Sequence, residues 1–307
     1  MPSSGEPRVF AVGRRRVKVS RPEKVLFPDD GITKADLAAY YERIAAAMLP
    51  HVRARPVMLQ RFPNGIGSRP IVQQKAREHF PSWVHRVTVE RETGGTITHA
   101  TIDDAATLVY LADQACITPH VWLSRGDRPR NPDQMVFDLD PPEDGFSLVL
   151  DAARVLREAL EDLGLVPFVR TSGSRGLHVH VPLDRRAGFD RVRALSRRIA
   201  RDVAEARPGR FTVEQRKAER DGRLYLDVMR NGYGQTVVAP YAVRPRPGAP
   251  VATPLDWSEL DRRLRPERFT LQTVPRRVER DGDPWEHMRA RARSLARMER
   301  RLGRDGS

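Results

Sequence analysis

Met135-Val136-Phe137-Asp138-Leu139-Asp140 reads as a β-strand that ends in charge. Side chains alternate across a strand, so Asp138 and Asp140 share one face while Phe137 and Leu139 share the other. The apolar face calls for a core. The acidic face sets two carboxylates side by side, and like charges held that close resist ionising together. A divalent cation with a taste for hard oxygen ligands, Mg²⁺ or Mn²⁺, removes the conflict. The plainer alternative is a strand end running into a turn, because Pro141-Pro142 follows at once.

Outward from this strand, the pattern alternates helices and strands. Ser147 to Leu163 has an apolar stripe of Leu148, Ala152, Val155, Leu156, Ala159 and Leu163, with Ser147 placed to cap it and Gly164 to end it. Val166 to Arg170 is a strand, Ser172 to Gly176 a tight loop, and Leu177 to Pro182 a further strand. Asp190 to Ala206 is a second amphipathic helix, with Val192, Leu195, Ile199 and Val203 inward. Arg223 to Met229 and Thr236 to Ala239 read as strands joined by a glycine-containing turn, and 244–255 as a Pro-rich extended stretch. Towards the N-terminus, 1–7 read as disordered and Val9 to Val19 as a strand or arm. Thr33 caps a helix with Leu37, Tyr40, Tyr41, Ile44 and Met48 on one face, and Val57 to Phe62 is a strand. Thr96 to Ile102 and Leu108 to Ala112 bracket another strand-and-helix segment. At the other end Trp285 to Leu302 repeats Met288, Ala292, Leu295, Met298 and Leu302, which predicts one helix that packs on the body through its stripe, with docking on DNA as the alternative. Strands with short hairpin links, mixed with helices, predict α/β (α+β) architecture around a mostly antiparallel sheet.

The chain has 307 residues, 39% of them hydrophobic and 31% charged, enough for a substantial core. Its net charge is +14, from 54 Lys and Arg against 40 Asp and Glu. Such an excess suits a polyanionic partner, although an Arg-rich and Ala-rich composition also follows from a GC-rich genome. Composition does not separate the two; by position, 1–21 carry a net +5 and 285–307 a net +4, so the excess concentrates at the ends. The single cysteine, Cys116, excludes an internal disulfide and a cysteine-built zinc site. No apolar run is long enough to span a membrane and no signal-peptide core opens the chain, so a soluble cytoplasmic protein is expected.

Three more constellations carry chemistry. In Leu224-Tyr225-Leu226-Asp227-Val228-Met229, Asp227 shares a face with Tyr225 and Met229. It either pairs with Arg223 or Arg230, or joins Asp138 and Asp140 as a third metal-binding carboxylate for phosphoryl transfer. In Thr171-Ser172-Gly173-Ser174-Arg175-Gly176-Leu177-His178-Val179-His180, a Gly-Ser loop between strands can turn backbone N–H groups towards phosphate oxygens. Arg175 adds a forked cation, and His178 and His180 alternate onto one face. The alternative is an ordinary hairpin turn with solvated histidines. His120, Arg244, Lys24 and Lys34 read, taken singly, as a structural histidine and solvated cations.

Taken together these segments resemble the polymerase domain of bacterial ligase D, a branch of the archaeo-eukaryotic primase superfamily. The matching strings are Pro22-Glu23-Lys24-Val25-Leu26-Phe27-Pro28, Val136 to Pro141, Ser172 to His178, Asp227 with Arg230-Asn231-Gly232, Val238-Ala239-Pro240-Tyr241 with Arg244, and Pro247 to Val251 running to Trp257. The resemblance implies a primase-like catalytic core with a mostly antiparallel RRM-like sheet flanked by helices. It spans 8–285, divided into an N-terminal α/β part (8–130), a catalytic sheet part (131–255) and a closing segment (256–285), with a basic C-terminal helix and tail at 286–307. It implies a template-dependent nucleotidyltransferase that fills short gaps or ends in DNA repair, favouring NTPs over dNTPs, with two Mn²⁺ or Mg²⁺ ions. Asp138, Asp140 and Asp227 would bind metal and catalyse; His120, Ser172, Arg175, Gly176, His178 and Arg244 would hold the nucleotide. Lys24 and Lys34 would grip the 5′-phosphate of a gapped or broken duplex. A separate ligase and a Ku-like end-binding protein are the implied partners, at the nucleoid and away from membrane. Two departures stand out. Val72-Gln73-Gln74-Lys75 occupies the stretch where the family commonly places two template-stacking phenylalanines before a lysine, and Arg175 replaces a frequent lysine. No Lys-x-Asp-Gly adenylation motif is present, which predicts a free-standing polymerase or a piece of a longer enzyme. The competing functions are a non-catalytic nucleic-acid-binding repair module, a primase, and a metal-dependent nuclease; the Ser172–His178 loop and Arg244 favour triphosphate binding over strand hydrolysis.

Overall fold

The computed structural model describes residues 6–142, 145–296 and 298. The chain divides into two compact units: residues up to Trp122 with 236–253 and 265–283, and Leu123–Gln235 with Pro254–Leu264 and the residues from Pro284 on. The first division falls at 122, ahead of the expected 130, and 236–253 returns to the first unit instead of staying with the catalytic strands.

The first unit opens with a hairpin of β1 (Arg8–Val12) and β2 (Arg15–Val19), where an arm was the alternative. β3 (Val25–Phe27) and β4 (Ile32–Thr33) lead into α1 (Lys34–Val52). Thr33 and Asp36 form a reciprocal capping box, and Leu37, Tyr40, Tyr41, Ile44 and Met48 are buried as the spacing predicts. The sheet contains β5 (Val57–Arg61), β6 (Ile71–Gln73), β7 (Arg86–Glu90), β8 (Thr96–Ala100) and β9 (Cys116–Trp122), with α2 (Ala105–Asp113) between the last two.

The second unit holds β10 (Gln134–Asp140), α3 (Phe146–Asp162), β11 (Phe168–Thr171), β12 (Leu177–Pro182), α4 (Phe189–Glu205), β13 (Phe211–Thr212) and β14 (Leu224–Asp227). The chain then gives β15 (Thr236–Val238) to the first unit, β16 (Pro254–Leu255) to the second, and α5 (Val274–Asp281) to the first. The second sheet runs β13-β14-β10-β12-β11-β16, antiparallel except for β13–β14. The fold is therefore mixed α/β with antiparallel pairing throughout most of two sheets, where one sheet was expected. Met135, Phe137 and Leu139 are fully buried, and α3 and α4 pack on β10.

Three local expectations change. α3 begins at Phe146 with Gly145 as its cap, not Ser147. A Cβ at Gly145 would lie 2.7 Å from Pro142 Cδ, so the prolines after β10 select glycine there. β14 and β15 do not form a hairpin, because β15 pairs with β9. Instead β14 ends in a 3₁₀ turn at Met229–Asn231. Trp285–Leu302 is not one helix: a 3₁₀ turn at Met288–Arg291 precedes a parallel bridge between Arg293 and Leu183. Trp285, Met288, Leu295 and Met298 are nonetheless buried and Ala292 is half-buried, while Leu302 of the expected stripe lies outside the described residues. Within that stretch 297 and 299–302, like 1–5, lie outside the described residues.

Candidate active site

One lateral row crosses the second sheet. Asp227 on β14 stands opposite Asp138 on β10, Asp138 opposite His178 on β12, and His178 opposite Arg170 on β11. Residues directly opposite in antiparallel strands project on the same face with their Cβ atoms adjacent. Backbone register alone therefore sets two carboxylates, an imidazole and a guanidinium in a line. Asp140, two residues along β10 on the same face, stands opposite Tyr225. The sequence folds this way because Leu139 and Leu226, on the alternate face, are buried opposite each other.

Asn231 holds β10 where its pairing with β14 stops. Its amide oxygen accepts from Val136 N–H at 2.8 Å, and its amide nitrogen donates to the Val136 carbonyl at 2.7 Å and the Val228 carbonyl at 2.9 Å. A side chain thus continues the ladder for the central strand.

The carboxylates differ in surroundings. Asp138 Oδ1 lies 3.2 Å from His178 Nε2. Asp227 Oδ1 accepts from Met229 N–H at 2.7 Å and from the Tyr225 hydroxyl at 3.3 Å. Asp140 stands exposed at the strand end, yet burial against the sheet, then the charges of Asp138 and Asp227, raise its pKa from 3.8 to about 6, opposed by Arg220 and Arg230. Burial and the Asp227 charge push the Tyr225 hydroxyl up to about 12, and the Arg220 guanidinium sits 4.1 Å above its ring. Three carboxylates of one face in mutual repulsion suit hard divalent cations. The oxygens are not drawn into a closed set: among the described residues no three His, Cys, Asp or Glu are gathered in ligand geometry.

The loop after β11 is braced from within. Ser172 Oγ accepts from the N–H groups of Ser174 and Gly176, each at 3.2 Å, and Ser172 N–H donates to the Gly176 carbonyl at 3.0 Å. Two N–H groups expected to face phosphate are thus turned onto Ser172. Arg175 is exposed at the loop tip. A Cβ on Gly176 would lie 2.3 Å from the Leu139 carbonyl oxygen, so only glycine lets the loop close over β10.

The remaining expected residues belong to the first unit. His120 lies on β9 opposite Met58 and Val238. Arg244 donates its backbone N–H to the Pro250 carbonyl at 2.7 Å. Lys24 is half-buried, and its carbonyl accepts from Lys34 N–H. The Lys34 ammonium is buried and bonded to Ser20 Oγ at 3.0 Å, Asp113 Oδ1 at 2.9 Å and the Asp113 carbonyl at 3.2 Å. Those three acceptors take up its three donors. Ile71 and Val72 are exposed on β6, while the Gln73 side chain is buried and accepts from Arg61. Sequence reasoning missed Arg170 and the ladder role of Asn231. The signal for Arg170 was a charged residue at an inward position of an otherwise apolar strand.

Comparison with known proteins follows the same lines. The sequence pattern of the LigD primase-polymerase domain matches residues 33–285. The chain is 36% identical to the multifunctional non-homologous end joining DNA repair protein LigD of Mycobacterium tuberculosis, over 97% of this chain and 40% of that protein. It is 33% identical to the multifunctional non-homologous end joining protein LigD of Pseudomonas aeruginosa, over 98% of this chain and 36% of that protein. The chain thus spans less than half the length of these relatives. The solved polymerase domain of Mycobacterium tuberculosis ligase D, in complex with DNA, matches with a TM-score of 0.85 at 34% identity, covering 91% of this chain and 100% of that one. The mixed α/β architecture described above is the architecture of that domain. The chain belongs to the LigD primase-polymerase domain family, a family of DNA-directed nucleotidyltransferases.

Proposed function

We propose that the chain extends a DNA primer by template-directed nucleotidyl transfer in short gaps or at ends during break repair, favouring NTPs, and that Asp138, Asp140 and Asp227 are its metal-binding and catalytic carboxylates. The observation that carries this reading is the register that sets Asp227 opposite Asp138 with Asp140 on the same face. Two divalent cations, Mn²⁺ or Mg²⁺, would when bound activate the primer 3′-hydroxyl and neutralise the leaving pyrophosphate.

The chain's own residues do the rest. Met229 N–H and the Tyr225 hydroxyl fix one oxygen of Asp227 and leave the other for ligation. His178 Nε2 stands 3.2 Å from one oxygen of Asp138 and leaves the other for ligation. Burial and the neighbouring carboxylates raise the pKa of Asp140 to about 6, and cationic charge beside it would draw it further into the ionised form. Ser172 and Gly176 shape the loop that carries Arg175, whose exposed guanidinium meets the triphosphate. For His120 and Arg244, nucleotide binding rests on the family resemblance. The 5′-phosphate reading rests chiefly on Lys24, since Lys34 is committed to Asp113. A separate ligase and a Ku-like end-binding protein would join the product to the repair reaction; these two partners rest on the family resemblance alone.

Primer extension on a gapped duplex with a 5′-phosphate tests the proposal. With Mn²⁺ and NTPs the wild-type chain should add nucleotides. Asp138→Ala or Asp140→Ala should abolish addition and leave DNA affinity within about two-fold, because phosphate contacts elsewhere dominate binding. Undiminished extension by both variants would move the chemistry elsewhere.

A further inference from the structure

Arg170 is a fully buried guanidinium at the end of the row that carries Asp227, Asp138 and His178. Its Nη2 lies 2.7 Å from His178 Nδ1, its Nε donates to His180 Nε2 at 3.0 Å, and its Nη1 donates to the Thr171 carbonyl at 3.2 Å. We propose that Arg170 is a positioning residue that fixes the protons of both histidines, leaving His178 with its proton on Nε2, aimed at Asp138. This inference rests on the reading of Asp138 as a metal-binding carboxylate.

The argument is one of donors and acceptors. A guanidinium has N–H groups and no lone pair to offer. Any imidazole nitrogen facing it at hydrogen-bond distance must therefore be bare. His178 Nδ1 and His180 Nε2 are both in that position. Each neutral ring then carries its proton on the other nitrogen. For His178 that is Nε2, which lies 3.2 Å from Asp138 Oδ1. For His180 it is Nδ1, which lies 2.8 Å from Gln134 Oε1 and donates to it. The two rings have opposite tautomers imposed by adjacent donors of one side chain.

The arrangement is braced so that neither ring turns freely. The imidazoles lie nearly parallel, 6.0 Å apart at 22°. The Trp285 ring packs 4.9 Å from His180, and its indole N–H donates to the Val169 carbonyl, one residue before Arg170. Register does the remaining work, because Arg170 stands opposite His178 and His178 opposite Asp138. The planar fork matters: Nε and Nη2 form one edge, and that edge meets two rings spaced i, i+2 on β12. A lysine ammonium is a point charge without such an edge. The consequence for the site is directional. A His178 proton on Nε2 sets partial positive charge beside Asp138 Oδ1, 3.2 Å away, and leaves Oδ2 to the cation. The same residue with its proton on Nδ1 would turn a lone pair on the carboxylate and repel it.

The test needs no active enzyme. Long-range ¹H–¹⁵N correlation spectra of the full chain labelled in histidine report which ring nitrogen carries the proton, and His178→Gln identifies the His178 signals. Near neutral pH the wild-type chain should show His178 protonated on Nε2 with bare Nδ1, and His180 the reverse. Arg170→Lys, the variant better able to fold, should show averaged tautomers at His178 and lose about 10- to 100-fold in kcat/KM for the nucleotide, the usual range for partners that orient a metal-site histidine. DNA affinity should be unchanged, and in a His178→Gln background Arg170→Lys should cost less than about two-fold more, as expected when one residue acts through the other. A wild-type His178 protonated on Nδ1 would overturn the proposal, as would losses that multiply in the double variant. If the spectra agree but Asp138→Ala still extends primers, the clamp stands and the assignment of the metal site is what fails.

Discussion

Asp140 has the most telling chemistry of any single residue. In the folded chain its pKa is raised from 3.8 to about 6 by burial and by the charges of Asp138 and Asp227. A raised carboxyl pKa means that the folded state holds the proton more tightly than the unfolded state does. Its contribution to stability is therefore fully present below the unfolded value and is lost as pH rises through about 6. Asp140→Asn removes the ionisation. In denaturant unfolding with a chelator present, this variant should be more stable than wild type above about pH 6 and should lose the downward slope between about pH 4 and 6. Excess Mn²⁺ should stabilise the wild type above that range and do little for Asp140→Asn. Equal slopes for the two chains would show that the three carboxylates are not in electrostatic contact.

At the scale of elements, the loop between β11 and β12 is fitted to β10 through one atom. Gly176→Ala would set a Cβ 2.3 Å from the Leu139 carbonyl oxygen, and that oxygen belongs to backbone, which cannot swing aside. The expected result is a loss of about 1–3 kcal/mol in unfolding free energy, the usual cost of forced overpacking. A larger fall in nucleotide affinity should accompany it, since the loop and Arg175 must move. Unchanged nucleotide affinity, measured by titration with a non-hydrolysable NTP, would separate the loop from substrate. The same elements show what could be read in advance. β10 was legible because its alternation assigns each residue to a face, and α1 because Thr33 precedes a stripe of Leu37, Tyr40, Tyr41, Ile44 and Met48 at helical spacing. The partner of β15 was not, because a strand of three residues offers too little pattern to choose between β14 and β9. The C-terminal stretch misled because buried Trp285, Met288, Leu295 and Met298 fall at spacings a helix would share, although Arg293 pairs with Leu183 between them. Arg170 escaped notice because cross-strand register, which makes it a neighbour of His178, is not written in either strand alone.

At the scale of the whole molecule, each unit encloses its own six-stranded sheet, and the chain passes between them several times. All of the carboxylates, the histidine pair and the Ser172–Gly176 loop belong to the second unit, on strands separated by up to about ninety residues of sequence. The excess of 14 positive charges fits a chain whose family acts on DNA. The central claim is that Asp138, Asp140 and Asp227 together bind the cations that permit nucleotidyl transfer. The most direct measurement is titration of Mn²⁺ by electron paramagnetic resonance in the presence of NTP, on the wild-type chain and on Asp138→Asn, Asp140→Asn and Asp227→Asn, each checked for native circular dichroism. The wild type should bind Mn²⁺ tightly, and every variant should lose about ten-fold or more in affinity along with primer extension, since each removes an anionic ligand. Folded variants that bind Mn²⁺ as the wild type does would contradict the account.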